Sequence, residues 1–220
     1  MMAALGGVCR QVELTSRQLA GFLTAPPHPH GLVIFAHGAG SSRFSRRNQT
    51  VARRLHAAGL ATLLFDLLSE RESEDRGKVF DIELLAGRLR EAANWARVFP
   101  DTKALPIGYF GASTGAGAAL AAAADDGESI AAVVSRGGRP DLAGADALRR
   151  VRSPTLLIVG SRDVRVLELN EKALAELGCE ARLEVVTGAS HLFEEEGTLE
   201  RAAELAAGWF RSHFQSAKGG

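Results

Sequence analysis

Cysteine is scarce in this chain of 220 residues, and the two present, Cys9 and Cys179, stand alone with no metal-binding spacing. That excludes a disulfide scaffold and a cysteine-based zinc site, and it fits a reducing, cytoplasmic setting. Charge of one sign is missing too: 26 basic and 26 acidic residues cancel, which leaves no electrostatic footprint for nucleic acid or an anionic membrane. Small molecules are the expected partners, with homo-oligomerisation left open. No apolar run approaches the roughly 20 residues that cross a bilayer. Met1 to Val8 lack the basic and apolar regions of a secretory leader. Tyrosine occurs once, at Tyr109, so no Tyr-x-x-x-Lys pair can follow a glycine-rich turn, and no Lys follows the glycines as a phosphate loop requires. No metal or cofactor is expected.

What the chain does contain is a regular alternation of short apolar runs and amphipathic stretches. Residues 31–36, 60–65, 105–110, 130–134, 154–159 and 183–186 read as strands covered on both faces. Between and after them, helical spacing predicts helices over 43–58, 80–99, an Ala-rich stretch after residue 113, 142–150, 167–177, and a last helix carrying Leu199, Leu205, Trp209 and Phe210. Residues 8–14 and 19–23, joined by Thr15-Ser16-Arg17, predict an antiparallel hairpin at a sheet edge. The prolines of residues 25–30 make a loop, in which His28 and His30 have no metal-binding partners. The charged stretch 69–78 reads as a solvated, mobile loop, and residues 215–220 as a frayed tail. The expectation is one α/β domain over residues 1–220, a mostly parallel central sheet with helices on both faces.

Residues 105–120, Leu-Pro-Ile-Gly-Tyr-Phe-Gly-Ala-Ser-Thr-Gly-Ala-Gly-Ala-Ala-Leu, organise the rest. A buried strand runs into Gly111-Ala112-Ser113-Thr114-Gly115 and out into a helix. In G-x-S-x-G the serine occupies a strained strand-to-helix turn, and the glycines remove side chains that would collide with neighbouring backbone. Ser113 is then held above the sheet at a helix N-terminus, where backbone N–H groups favour developing negative charge. The same glycines also fit G-x-x-x-G-x-G, a dinucleotide-type turn, but such a turn normally follows the first strand of its domain. A turn that merely lets helix pack on strand is the plainer alternative.

Three other loops leave the same sheet edge. His37-Gly38-Ala39-Gly40-Ser41-Ser42 follows the first apolar strand and offers unpaired backbone donors. Asp163 follows the strand ending at Val159, and His191 the strand ending at Val186. Singly, Asp163 is a turn aspartate and His191 a loop histidine. Jointly, in a parallel sheet whose strand ends share one edge, Ser113, Asp163 and His191 converge, and their chain order is that of one hydrolase fold. Glu194, Glu195 and Glu196 compete with Asp163 as partners of His191, but they follow the histidine and are expected to open the last helix.

On these residues the chain resembles the α/β-hydrolase superfamily and, within it, the small dienelactone-hydrolase-like group. The resemblance runs from about residue 31 to residue 214 and rests on His37-Gly-Ala-Gly40, Gly111-Ala-Ser-Thr-Gly115, Asp163 and His191-Leu192-Phe193. It implies an α/β-hydrolase fold, a Ser113 nucleophile, a His191 base oriented by Asp163, and an oxyanion hole from the Ala39 and Thr114 amides. Characterised dienelactone hydrolases carry cysteine where this chain has Ser113. No lid domain fits between residues 135 and 153, which points to small soluble esters, thioesters or lactones. Arg43 and Arg136 leave the active edge and could hold a substrate carboxylate or simply face solvent; Gly40 and Leu192 border the same place. A non-catalytic binding or partner module on this fold is the alternative.

Overall fold

A computed structural model describes residues 7–14 and 19–216. Its centre is one eight-stranded sheet: β1 (Val8–Leu14), β2 (Leu19–Ala25), β3 (Leu32–Ala36), β4 (Ala61–Phe65), β5 (Ile107–Ala112), β6 (Ala132–Arg136), β7 (Thr155–Gly160) and β8 (Ala181–Val186), in the order β1-β2-β4-β3-β5-β6-β7-β8. From β4 to β8 every neighbouring pair is parallel, and β1 and β2 add an antiparallel edge. The predicted hairpin strands are present, although β2 runs two residues further than expected, and the link 15–18 lies outside the described residues. Cys9 sits in β1 and Cys179 just before β8, so seven inter-strand steps of about 4.8 Å separate them and no bond between the two is within reach.

The strands β3 to β7 are buried residue by residue because helices cover both faces, whereas β8, expected to be covered likewise, is an edge strand in which only Val186 is buried. Helices α1 (Arg46–Ala57) and, from the far end of the chain, α8 (Thr198–Ser216) pack together on one face, where Val51, Leu55, Phe210 and Phe214 meet Phe35, Phe110 and Val134. On the other face lie α4 (Ile82–Val98), α5 (Thr114–Asp126), α6 (Ala145–Arg150) and α7 (Val164–Glu176). Helix α5 is buried on nearly all sides, which is why it is made of alanine and glycine and lacks a polar stripe. The predicted tail from 215 is helical through Ser216, and residues 217–220 lie outside the described ones. Between β6 and β7 there is room only for a short 3-10 turn, Pro140–Ala143, and α6, so no lid is inserted there.

The charged stretch 69–78 is not a mobile loop but two short helices, α2 (Glu70–Ser73) and α3 (Arg76–Val79). Ser69 and Glu72 form a reciprocal capping box, and the Glu72 carboxylate also receives the guanidinium of Arg88, a buried residue of α4, at 2.9 Å. The Ser69 backbone N–H, with Arg88 nearby, holds the Glu72 carboxyl below its ordinary range. A buried arginine thus needs this segment folded onto α4.

The face covered by α1 carries a built-in acid sensitivity. His56 lies partly buried on α1, 2.7 Å from the hydroxyl of the fully buried Thr62. Burial disfavours the imidazolium and pulls its pKa from 6.5 to about 4. The unfolded chain therefore takes up a proton where the folded chain does not, so stability is lost as pH falls from about 6.5 to about 4. In urea titrations, the drop in midpoint between pH 7 and pH 4.5 is expected to be smaller in His56→Gln than in the parent.

Candidate active site

The site is assembled where the parallel strands end. Ser113 follows β5 directly and sits at the N-cap of α5 with φ 52° and ψ −123°, a left-handed conformation that a serine adopts only under constraint. The constraint is visible around it. Its N–H donates to the Arg136 carbonyl at 3.3 Å, and its carbonyl accepts from the N–H groups of Ala116 and Arg139. The side chain makes no helix cap, which leaves Oγ free to meet the ring of His191, 3.3 Å from Nε2.

His191 is oriented from behind. Its Nδ1 lies 2.5 Å from Asp163 Oδ2, so Nδ1 carries the proton in that contact and Nε2 presents its lone pair to the serine. Asp163 occupies the N-cap position of α7 yet does not cap it; its carboxylate turns to the histidine instead. Asp163 is largely shielded, with 15% of its side chain exposed against 38% for His191, an arrangement in which the carboxylate is held dry and the ring can still be reached. Of the competing glutamates, Glu195 accepts from the Ser190 N–H and hydroxyl, and Glu194 pairs with Arg47. The Ser190 N–H lowers the Glu195 carboxyl. All three glutamates precede α8 rather than opening it.

Neighbouring loops are locked to one another by backbone. The Arg162 N–H donates to the Ala189 carbonyl at 2.9 Å, and the Gly137 N–H to the Ile158 carbonyl at 2.8 Å. Gly160 lies so close to the histidine loop that a Cβ there would stand 2.3 Å from the Ala189 oxygen. Asn170 of α7, fully buried, donates to the Gly138 carbonyl and holds the turn after β6 from below.

On the other side, the turn after β3 is fixed by its own histidine. His37 Nδ1 lies 3.0 Å from the Gly38 carbonyl and Nε2 accepts the Leu67 N–H at 3.1 Å, which defines a neutral tautomer. Desolvation lowers the His37 pKa and keeps it so. Arg43 donates from its backbone and its guanidinium to Asp66, at the end of β4. The turn therefore sets Gly38 against Ser113, where a Cβ would lie 3.2 Å from the serine's own, and carries Ala39 and Gly40 outward, exposed. Neither the Ala39 nor the Thr114 N–H has an acceptor among the described residues. Beyond the turn opens a cavity of about 530 Å³ between Gly38–Ser42 and the apolar side chains of Leu67, Leu68, Val79 and Leu85.

The structure thus brings Ser113, Asp163 and His191 together and sets the Ala39 turn and the half-exposed Leu192 beside them. Arg43 lines the cavity, but its charge is met by Asp66. Arg136 does not face solvent: it is 6% exposed, under the ring of Phe193. The roles of His37, Asp66 and Glu195 were not read from the sequence; His37 and Asp66 each stand directly after a buried strand, which was the signal available.

Residues 29–207 match the family described as alpha/beta hydrolase domain. A crystal structure of dienelactone hydrolase from Anabaena variabilis is 52% identical, with a TM-score of 0.89 over 94% of this chain and 97% of that one. The esterase domain of a Rhodothermus marinus protein shares the fold alone, at 19% identity and a TM-score of 0.72 over 94% of this chain and 99% of that one. A Mycobacterium tuberculosis protein provisionally named a phosphoribosyl transferase is 61% identical over 195 residues, 89% of this chain, and this chain spans only 44% of that relative's length. With most of its length matched and its fold superposing on that of dienelactone hydrolase, the chain belongs to the alpha/beta hydrolase family and is similar within it to dienelactone hydrolase.

Proposed function

We propose that the protein is a serine hydrolase that cleaves small, soluble carboxylic esters, thioesters or lactones through an acyl-enzyme on Ser113. The observation that carries this reading is the unbroken relay from Asp163 Oδ2 to His191 and on to Ser113 Oγ, at 2.5 and 3.3 Å. A serine hydroxyl is a weak nucleophile at neutral pH and needs a base in contact as it attacks. His191 Nε2 takes the Oγ proton as the C–O bond to the substrate carbonyl carbon forms. The carbonyl oxygen becomes an oxyanion and is held by the Ala39 and Thr114 amides, both without internal acceptors among the described residues. Collapse of that intermediate breaks the bond to the leaving alcohol, which receives the proton from His191. Water, deprotonated by the same ring, then releases the acid. Asp163 keeps the imidazole in the needed tautomer and stabilises the imidazolium.

The cavity of about 530 Å³ beside the Ala39 turn supports a small substrate, as does the absence of an inserted lid between β6 and β7. The phosphoribosyl transferase name belongs to a protein more than twice as long as the matched part, so it does not displace the hydrolase reading of this part.

Labelling tests the proposal without a known substrate. A fluorophosphonate is expected to form one adduct per chain, on Ser113, and to abolish hydrolysis of p-nitrophenyl acetate in step with labelling. Turnover that survives full labelling, or an adduct elsewhere, would refute it.

A further inference from the structure

Arg136 is the last residue of β6, in register with Ala112 and bonded through its carbonyl to the Ser113 N–H. Its side chain shares the sheet face of Ala132 and Val134, the face covered by α1 and α8, and it lies at the strand end where the hydrolase site is built. There it is 6% exposed, with Nε and Nη1 lacking any hydrogen-bond partner among the described residues. No carboxylate pairs with it among those residues, and the residues outside them, 1–6, 15–18 and 217–220, contain no Asp or Glu.

A buried guanidinium without a counter-ion is among the most unfavourable groups a core can hold. It cannot escape by losing its proton: burial lowers its pKa only to about 10, so it is charged at neutral pH. The charge that acts on it is another cation, Arg47, in the first turn of α1. That turn points its helix N-terminus, with its free N–H groups, to the same strand edge. Over the guanidinium the Phe193 ring stands 5.5 Å from Cζ, on a residue with a backbone φ of 55° that a phenylalanine rarely adopts. Phe193 is two residues from His191, and Gly137, next to Arg136, would touch the His191 carbonyl at 3.0 Å if it carried a Cβ. An unmatched positive centre is therefore built at the end of β6, on the residue whose carbonyl holds the Ser113 N–H and against the Phe193 ring of the histidine loop, whereas Arg43 is already neutralised by Asp66.

We propose that Arg136, assisted by Arg47 and the first turn of α1, is an anion subsite that takes a carboxylate or phosphate group carried by the substrate. Calling the ligand a substrate rests on the serine-hydrolase reading above; the subsite itself does not. A planar guanidinium with two free donors suits an oxyanion, and occupancy would supply the missing counter-charge. Arg47, now 3.7 Å from the exposed Glu194, can turn to the same anion.

The test compares p-nitrophenyl hemisuccinate with p-nitrophenyl butyrate, anionic and neutral at pH 7. In Arg136→Gln the ratio of their kcat/KM values is expected to fall about 10- to 100-fold, chiefly through KM, with partial recovery in Arg136→Lys. An equal loss on both esters would overturn the proposal. Succinate and inorganic phosphate serve as competing probes: whichever inhibits the parent and spares Arg136→Gln identifies the group, and no Arg136-dependent inhibition by either counts against the subsite. Should Arg136→Gln fail to fold, Arg47→Gln is expected to lower the same ratio about 2- to 5-fold, and an unchanged ratio would refute it. If the parent hydrolyses neither ester, calorimetric titration of both anions into Ser113→Ala and Ser113→Ala/Arg136→Gln decides. Binding lost only with Arg136 sustains the subsite while the hydrolase reading fails; no binding to either protein overturns the subsite.

Discussion

Ser113→Ala is expected to keep its fold and lose hydrolysis of p-nitrophenyl acetate by at least about 10⁴-fold in kcat/KM. The fold survives because Oγ has one partner among the described residues, the His191 ring, and caps nothing; the backbone bonds from Ser113 to Arg136, Ala116 and Arg139 do not involve the side chain. Activity falls because no other hydroxyl among the described residues stands in hydrogen-bond contact with His191. Asp163→Asn should show a loss of similar order, about 10⁴-fold, for a different reason. An amide in place of the carboxylate can donate to Nδ1, which moves the ring proton to Nε2 and takes the base away from the serine. The two variants are told apart by labelling: fluorophosphonate does not react with Ser113→Ala and reacts slowly, but fully, with Asp163→Asn. Circular dichroism melts matching the parent within a few degrees would show that the loss is chemical.

That Ser113, Asp163 and His191 could be found in the sequence has a physical cause. Ser113 and Asp163 each follow a continuous apolar run and His191 follows a short strand interrupted by Glu184, and in a parallel sheet the ends of such strands share an edge, so the spacing along the chain is irrelevant and the order after strands is everything. The parts that escaped are those fixed by pairing rather than by burial. The stretch 69–78 is charged enough to read as solvated, yet Ser69 and Glu72 stand at capping-box spacing, and Arg88, placed within an otherwise apolar helix face, needed an acid. Arg136 was placed at the active edge by its sequence position, but its burial escaped in the opposite way. A cation before two glycines reads as a surface loop residue, and only its place as the last residue of a buried strand puts it under Phe193. Helix starts were displaced for a similar reason: α7 begins at Val164, three residues before the first clear apolar repeat, because Asp163 takes the N-cap position.

The same logic makes Gly115→Ala a severely damaging small substitution. Gly115 is the second residue of α5, and a Cβ there would lie 2.2 Å from the Ala36 oxygen and 2.6 Å from the His37 oxygen. Both obstacles are backbone, one ending β3 and the other beginning the turn that carries Ala39, so neither can swing aside as a side chain would. Relief requires α5 to withdraw from β3, and that shifts the Thr114 and Ala39 amides apart while breaking the close packing of the helix on the sheet. Loss of at least about 3 kcal/mol of stability is expected. For a domain of this size that is a fall in Tm of roughly 6 to 12 °C. Hydrolysis by whatever fraction folds should fall as well. Gly87→Ala and Gly208→Ala supply the contrast. Both lie inside helices with nothing within 4 Å of the added atom, and each should gain about 0.5 to 1 kcal/mol from the better helix former. A Gly115→Ala protein that melts with the parent and hydrolyses esters at the parent's rate would show that the elbow and the Ala39 turn are not held in register by this contact.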